Sequence, residues 1–355
     1  MNVFESAGVD GLIITGATNR RYFSGWSASD HAPDRPTGVM LVTPTQRLLY
    51  ASSTNLSWAA SEARSDVETR PISGLWQRVV ARDALSLGLK RIGFEDAVLP
   101  VASHRELASA IGSAADLVPL GDTVDATRRV KQQRELASIR AALSITDEAF
   151  GRAATYIREG MTERALAMFI DQQFRDLGSD GSAFETIVAS GPNAAKPHHT
   201  PGDREIGVGE PVIIDMGARV DGYCGDLTRT IWVGQPTEQL GTMYHLVADA
   251  QRAAFAAIKG GAEARAVDRA ARDVFQAAGT EELLLHGVGH ALGLRIHESP
   301  FLSQSSSDVL EPGNVITVEP GQYQAGWGGV RIEDVVLVTS DGYENLTAAP
   351  KLLGE

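Results

Sequence analysis

Cysteine is almost absent from this chain. Cys224 is the only one in 355 residues, so no internal disulfide can form and no cysteine zinc site is available, which fits a reducing compartment. Apolar runs of membrane length are missing too, and the first residues, Met1-Asn2-Val3-Phe4-Glu5-Ser6, lack a basic region followed by an apolar stretch. A cytoplasmic protein with no membrane partner is the expectation. Positive charge is scarce: 32 Lys and Arg face 45 Asp and Glu, for a net charge of −13, and no basic block occurs. A nucleic-acid partner, which needs a cationic surface, is therefore excluded in favour of small substrates.

What is present reads as two domains. Apolar runs of strand length at 11–15, 39–43, 47–51 and 91–95, with helical stretches at 75–87 and 102–111, predict a small α/β domain over residues 1–125. Its least regular part is the polar, proline-containing loop 27–36. Beyond a boundary near 122–129, Leu136, Ile139, Leu143, Phe150 and Ile157 recur at three-and-four spacing, giving one long amphipathic helix or two. Thr162 caps a further helix reaching about Leu177, 184–190 is strand-like, the turn-rich 190–201 is a loop, and 243–258 and 267–278 are helical. These belong to a second domain over 126–355.

That domain is organised around 212–231, where two β-rich runs flank Asp221-Gly222, a dipeptide suited to a two-residue hairpin turn. Counting outward from a Val220–Tyr223 pair sets Asp215 opposite Thr228 and Gly217 opposite Asp226. Asp215 and Asp226 then share a face as diagonal neighbours, roughly 7–8 Å apart. Two carboxylates aimed at one another amid Val and Ile repel and lose hydration unless a cation or a proton intervenes.

The last third of the chain supplies partners. His286, His290 and His297, three of the eight histidines, fall close together, with glycines on both sides of His290 leaving its imidazole unobstructed. Glu319 and Glu333 each interrupt an apolar, strand-like run, where a lone glutamate would ordinarily be an edge charge or a salt-bridge partner. Asp215, Asp226, His290, Glu319 and Glu333 together form four carboxylates and one imidazole, of total charge −4. Two divalent cations neutralise that set, and oxygen-rich ligation suits Mn or Co better than structural zinc, with Zn or Fe as alternatives. A pair of metals roughly 3.5–4 Å apart can share a bridging hydroxide and polarise a carbonyl.

These residues resemble those of the pita-bread metallopeptidases, in particular the Xaa-Pro branch that contains prolidase (Xaa-Pro dipeptidase) and aminopeptidase P. The resemblance runs in order through Arg129-Val130-Lys131 to Glu135, Gly191-Pro192-Asn193 to His198, Asp215 to Asp226, His286 to Gly293 with His297-Glu298-Ser299-Pro300, Val318-Glu319-Pro320-Gly321 and Arg331-Ile332-Glu333-Asp334. Asn19 to Trp26 also looks like the family's N-terminal domain. The resemblance implies an α+β fold, a C-terminal pita-bread (creatinase/aminopeptidase-like) domain preceded by a small creatinase-N-terminal-like α/β domain. It implies Asp226, His290, Glu319 and Glu333 on one metal and Asp215, Asp226 and Glu333 on the other. It also implies His198 and His297 on the substrate side, Glu319 as proton shuttle, Arg331 beside the metals, and a homodimer. Ala291 and Gly225 depart from the family's usual glycine and serine, but both are small.

The function so implied is hydrolysis of the bond before proline. The short N-terminal domain leans towards a dipeptidase, with release of the first residue from longer peptides, as in aminopeptidase P, the alternative. A dipeptidase must read a free carboxylate, for which Arg35 in the 27–36 loop is the candidate. Intact ligand positions argue against the metal-free chemistry of creatinase and against the non-catalytic peptide-binding modules built on the same fold.

Overall fold

The computed structural model describes residues 3–30, 32 and 35–351. The chain divides into two compact units, Met1–Arg128 and Arg129–Glu355. In the first, the four expected strands are joined by Val67–Pro71 and Asp116–Pro119 at the two edges of a six-stranded mixed sheet. Ile13, Val39, Leu41, Leu48, Tyr50 and Ile92 pack on one face with the helices Trp76–Ser86 and Val101–Ile111, while Leu12, Ile14, Met40, Leu49 and Trp26 fill the other. Burial on both faces explains why the central strands read as continuous apolar runs. Neither edge strand has a buried residue, Val67–Pro71 is mostly polar and Asp116–Pro119 has only two consecutive aliphatic residues, which hid both from the apolar pattern.

The second unit is a pita-bread layering of helix pairs over sheets. Gln133–Tyr156, a single helix, and Glu163–Asp176 cover the three-stranded sheet of Ile187–Ser190, Val212–Met216 and Leu227–Ile231. The helices Glu238–Ala256 and Ala264–Ala277 cover a five-stranded sheet that includes Gly289–Ala291, Glu298–Leu302, Val315–Val318 and Asp334–Val338. Local chemistry sets the ends. Thr162 and Thr237 accept from Ala165 N (3.1 Å) and Leu240 N (3.3 Å), and Gln132 and Glu135 form a reciprocal capping box. Leu227–Ile231 is stitched to its neighbours where Arg331 N, at the end of Gly328–Arg331, donates to Thr230 Oγ1 (3.0 Å) and Glu333 N, just before Asp334–Val338, donates to Thr228 O (3.1 Å).

The Asp-Gly turn forms in the expected register, with Asp221 at φ 50° and Gly222 at φ 77°, Val220 opposite Tyr223 and Asp215 opposite Thr228. The ribbon is not continuous, however. Its tip, Ala218–Val220 with Tyr223–Cys224, pairs with Gly181–Ser182, whereas its root belongs to the three-stranded sheet. The break falls at Gly217 and at Gly225-Asp226, where the backbones crowd so closely that a Cβ on Gly217 would lie 2.0 Å from Gly225 O. Among the described residues no helix is long and apolar enough to cross a membrane.

That contact gives a first prediction. Gly217→Ala must force the two strands apart between Asp215 and Asp226, costing about 3 kcal/mol or more. Urea denaturation should show the loss, and an unchanged midpoint would mean that the close approach is dispensable.

Candidate active site

Three of the side chains singled out in the second unit lie at strand breaks. Asp226 directly precedes Leu227–Ile231, Glu319 follows Val315–Val318, and Glu333 sits between Gly328–Arg331 and Asp334–Val338. Asp215 and His290 come from within Val212–Met216 and Gly289–Ala291. The breaks let these polar side chains leave an apolar strand without displacing its core neighbours. All five line one cavity of about 540 Å³, which also receives His198, His297 and Arg331. Phe184, Ile187, Ile296 and Phe301 supply its apolar surface.

Asp215, Asp226 and Glu333 each offer a carboxylate oxygen within 4.8 Å of the others, a spacing that can hold a metal ion. Asp215 Oδ1 and Glu333 Oε1 are buried and have no hydrogen-bond partner, while Arg331 Nη2 donates to Asp215 Oδ2 at 2.6 Å. Such orphaned oxygens are what hard or borderline divalent cations coordinate. His290 Nδ1 lies 3.1 Å from Ala291 O. If Nδ1 carries the proton, the other nitrogen is free to act as a ligand. His290 Nε2 is 3.2 Å from Glu319 Oε1 and 3.8 Å from Asp226 Oδ2. The residues present therefore fit a metal centre.

The electrostatics say the same. Burial pushes the carboxyls of Asp226 and Glu333 well above the ordinary range, and the neighbouring acids push them further. Burial also raises Asp215, partly opposed by the Arg331 guanidinium. For Glu319 burial is outweighed by the hydrogen bond and charge of His290, which hold it at about 2. The reverse holds for His290, whose burial disfavours the imidazolium but whose pKa is raised by Glu319. His297 packs edge-on against His290, with ring centroids 4.4 Å apart, and burial followed by the His290 charge lowers its pKa.

Tyr323 and Thr317, which do not line the cavity themselves, tie groups that do. Tyr323 receives a hydrogen bond from Arg331 Nη1 (2.9 Å), and its hydroxyl lies 2.7 Å from His286 Nε2. Thr317 Oγ1 donates to Glu319 (3.1 Å). His286 stood within the histidine cluster, but nothing in the spacing linked it to Tyr323, which only the pairing of Gly321–Gln324 with Gly328–Arg331 brings beside Arg331. Arg35 belongs to the first unit and is exposed; its backbone N–H donates to Ala32 O (3.1 Å). His31, Pro33 and Asp34 of the same loop lie outside the described residues.

A pita-bread domain whose cavity gathers a carboxylate cluster beside a histidine is the framework of a metal-dependent peptidase. The chain belongs to metallopeptidase family M24, whose model matches residues 137–340, and residues 2–130 match the Creatinase/Prolidase N-terminal domain. It is 37% identical over 352 residues to the uncharacterized peptidase YqhT of Bacillus subtilis (strain 168), covering 99% of this chain and 97% of that protein. Among solved structures it is similar to the Xaa-Pro dipeptidase from Bacillus anthracis, with a TM-score of 0.92, 36% identity and coverage of 99% and 96% of the two chains. It is also similar to the X-Pro aminopeptidase from Thermotoga maritima MSB8, at a TM-score of 0.90, 31% identity and 99% coverage of both chains. The pita-bread fold expected from the motifs is thus established, and a member of this family is an enzyme that works with divalent metal ions.

The raised carboxyls and His290 make metal binding and pH interdependent. A group whose folded pKa is raised contributes stability below its unfolded pKa and loses it as pH rises through the folded value. Chelator-treated protein should therefore lose stability as pH climbs from the ordinary carboxylate range through neutrality, and adding divalent metal at pH 7 should release protons. Thermal unfolding across pH and calorimetry in buffers of different ionisation enthalpy check the two. Flat stability without metal, or no proton release, would contradict the assigned electrostatics.

Proposed function

We propose that this chain hydrolyses Xaa-Pro bonds, most naturally those of dipeptides, as a dinuclear Mn or Co enzyme. The observation that carries the reading is the convergence of Asp215, Asp226 and Glu333 in a cavity beside His290 and Glu319, in a chain similar over its whole length to an Xaa-Pro dipeptidase. On this reading Asp226, His290, Glu319 and Glu333 would hold one ion, and Asp215, Asp226 and Glu333 the other. Ions held there lower the pKa of water and polarise a carbonyl.

The chain's own groups do the rest. Glu319, held ionised at neutral pH, accepts the proton of the attacking water and passes it to the proline nitrogen as the bond breaks. His198 and His297 face the same cavity and are the donors for the developing oxyanion and the scissile amide. Arg331, tied to Asp215 and Tyr323, fixes the orientation of the acid cluster. Arg35 remains the proposed reader of a dipeptide carboxylate. A homodimer in the cytoplasm completes the proposal, in keeping with a free, buried Cys224.

One observation favours a second reading, aminopeptidase P activity. Among the described residues lining the cavity, Arg331 is the only arginine or lysine, and it is already engaged by Asp215 and Tyr323. No lining cation of that kind is left for a substrate carboxylate.

Paired substrates decide between them. Metal-stripped protein, with and without Mn²⁺ or Co²⁺ restored, is assayed on a Xaa-Pro dipeptide and a Xaa-Pro-Xaa tripeptide. Metal-dependent cleavage of the dipeptide alone is the expected result, with Arg35→Ala then raising its KM. Preference for the tripeptide would replace the dipeptidase reading with the second one and remove Arg35 from the site. Cleavage of neither, with metal bound, would refute both. Glu319→Gln should lower kcat by about 10²- to 10⁴-fold, the usual contribution of a general base.

A further inference from the structure

We infer that Glu163 is a positioning residue for His198, acting through a carboxylate clamp on the loop that carries it. Glu163 opens the helix Glu163–Asp176 and is fully buried, yet it faces no lysine or arginine within ion-pair distance in the described structure. Its two oxygens instead gather donors from one short segment. Oε1 accepts from Ser190 N and Ser190 Oγ, both at 2.8 Å, and from Asn193 Nδ2 at 3.1 Å. Oε2 accepts from His199 Nε2 at 2.8 Å and from Gly202 N at 3.2 Å, with Asn193 Nδ2 at 3.3 Å.

A buried carboxylate that satisfies this many donors is costly to build and rigid once built. Burial alone would raise its pKa, but the donors from Ser190, His199 and Asn193 bring it below the ordinary range, so the group is an anion and accepts at every contact. His199 must then present its Nε2–H to Glu163.

The clamp matters because of what lies next to it. His198 itself is exposed to the cavity, but both of its neighbours in sequence are tied. His199 is held by Glu163 on one side, and Pro197 O accepts from Arg331 Nη1 at 3.4 Å on the other. The backbone that carries this exposed imidazole is thereby held between two buried charges of opposite sign. The helix N-terminus adds backbone ties to the same loop, from Glu163 N to Arg204 O (3.1 Å) and from Arg164 N to Gly202 O (2.9 Å). Pre-organisation of this kind determines whether an oxyanion donor is in place before the reaction or must be ordered during it.

The inference rests on the substrate role proposed above for His198, and its test separates the two. Glu163→Gln keeps an oxygen for Ser190 but turns an amide N–H₂ towards His199 Nε2–H and Gly202 N–H, opposing donors with donors. With metal bound, kcat on the Xaa-Pro substrate should fall about 10- to 100-fold while KM stays within about twofold. His199→Ala should give a similar fall, His199→Gln, whose amide can donate as the imidazole does, should recover most of it, and the double variant Glu163→Gln/His199→Ala should be no worse than the worse single one. Unchanged kcat, additive losses or a failure of His199→Gln to rescue would overturn the inference. If Glu163→Gln does not fold, the two His199 variants decide alone. Histidine ¹⁵N–¹H spectra of the metal-free protein give an answer that needs no turnover. The His198 resonances should shift in Glu163→Gln or His199→Ala, and their staying unchanged would overturn the clamp even if wild-type protein cleaves no Xaa-Pro bond.

Discussion

Repulsion among buried carboxylates is the constraint on which the catalytic unit turns. At 4.8 Å, two unit negative charges repel by roughly 3–4 kcal/mol even at an effective dielectric near 20, and Asp215, Asp226 and Glu333 form three such pairs. Glu319 adds a fourth acid to the same cavity. Such a cluster holds together only if the surrounding framework is stiff and something positive answers it. Arg331 and His290 answer part of the charge, and protons on the raised carboxyls, or divalent cations when bound, would answer the remainder.

Stiffness comes from setting Asp226, Glu319 and Glu333 at strand ends and Asp215 in a strand paired on both sides, and from bracing the backbone behind them. Glu333 is the clearest case. Its carbonyl accepts from Arg229, and the same guanidinium reaches the Asp334 carboxylate at 2.7 Å and Ala349 O at 2.7 Å. Lys351 binds the other Asp334 oxygen at 2.6 Å, and Gln251 reaches Val318 O, so the two glutamate-bearing strands share one buried support. Breaking such a buried pair by removing one partner is far more damaging than losing a surface ion pair, because the remaining charge is stranded. The site is thus built on elements that cannot drift independently.

The part of the cavity lined by His198 and Phe184 is made differently. His198 and Phe184 come from loops, and the loop carrying His198 is tied to Glu163 by side-chain hydrogen bonds rather than by a ladder of backbone ones.

The sequence by itself determined much of this. Strand alternation around Asp221-Gly222 aligned Asp215 with Thr228, and the ordered motifs through Glu333 pointed to the family and its fold, because periodicity and turn chemistry are local properties carried by adjacent residues. Helix starts at Thr162 and near Gln133 were legible for the same reason. Tertiary structure alone decided the rest. That the hairpin breaks at Gly217 depends on a backbone contact with Gly225. The link from His286 through Tyr323 to Arg331 joins strands whose pairing no local pattern specifies. Glu163, which no local motif marks, accepts from a loop some thirty positions away, since which donors a buried carboxylate collects is a property of packing, not of spacing.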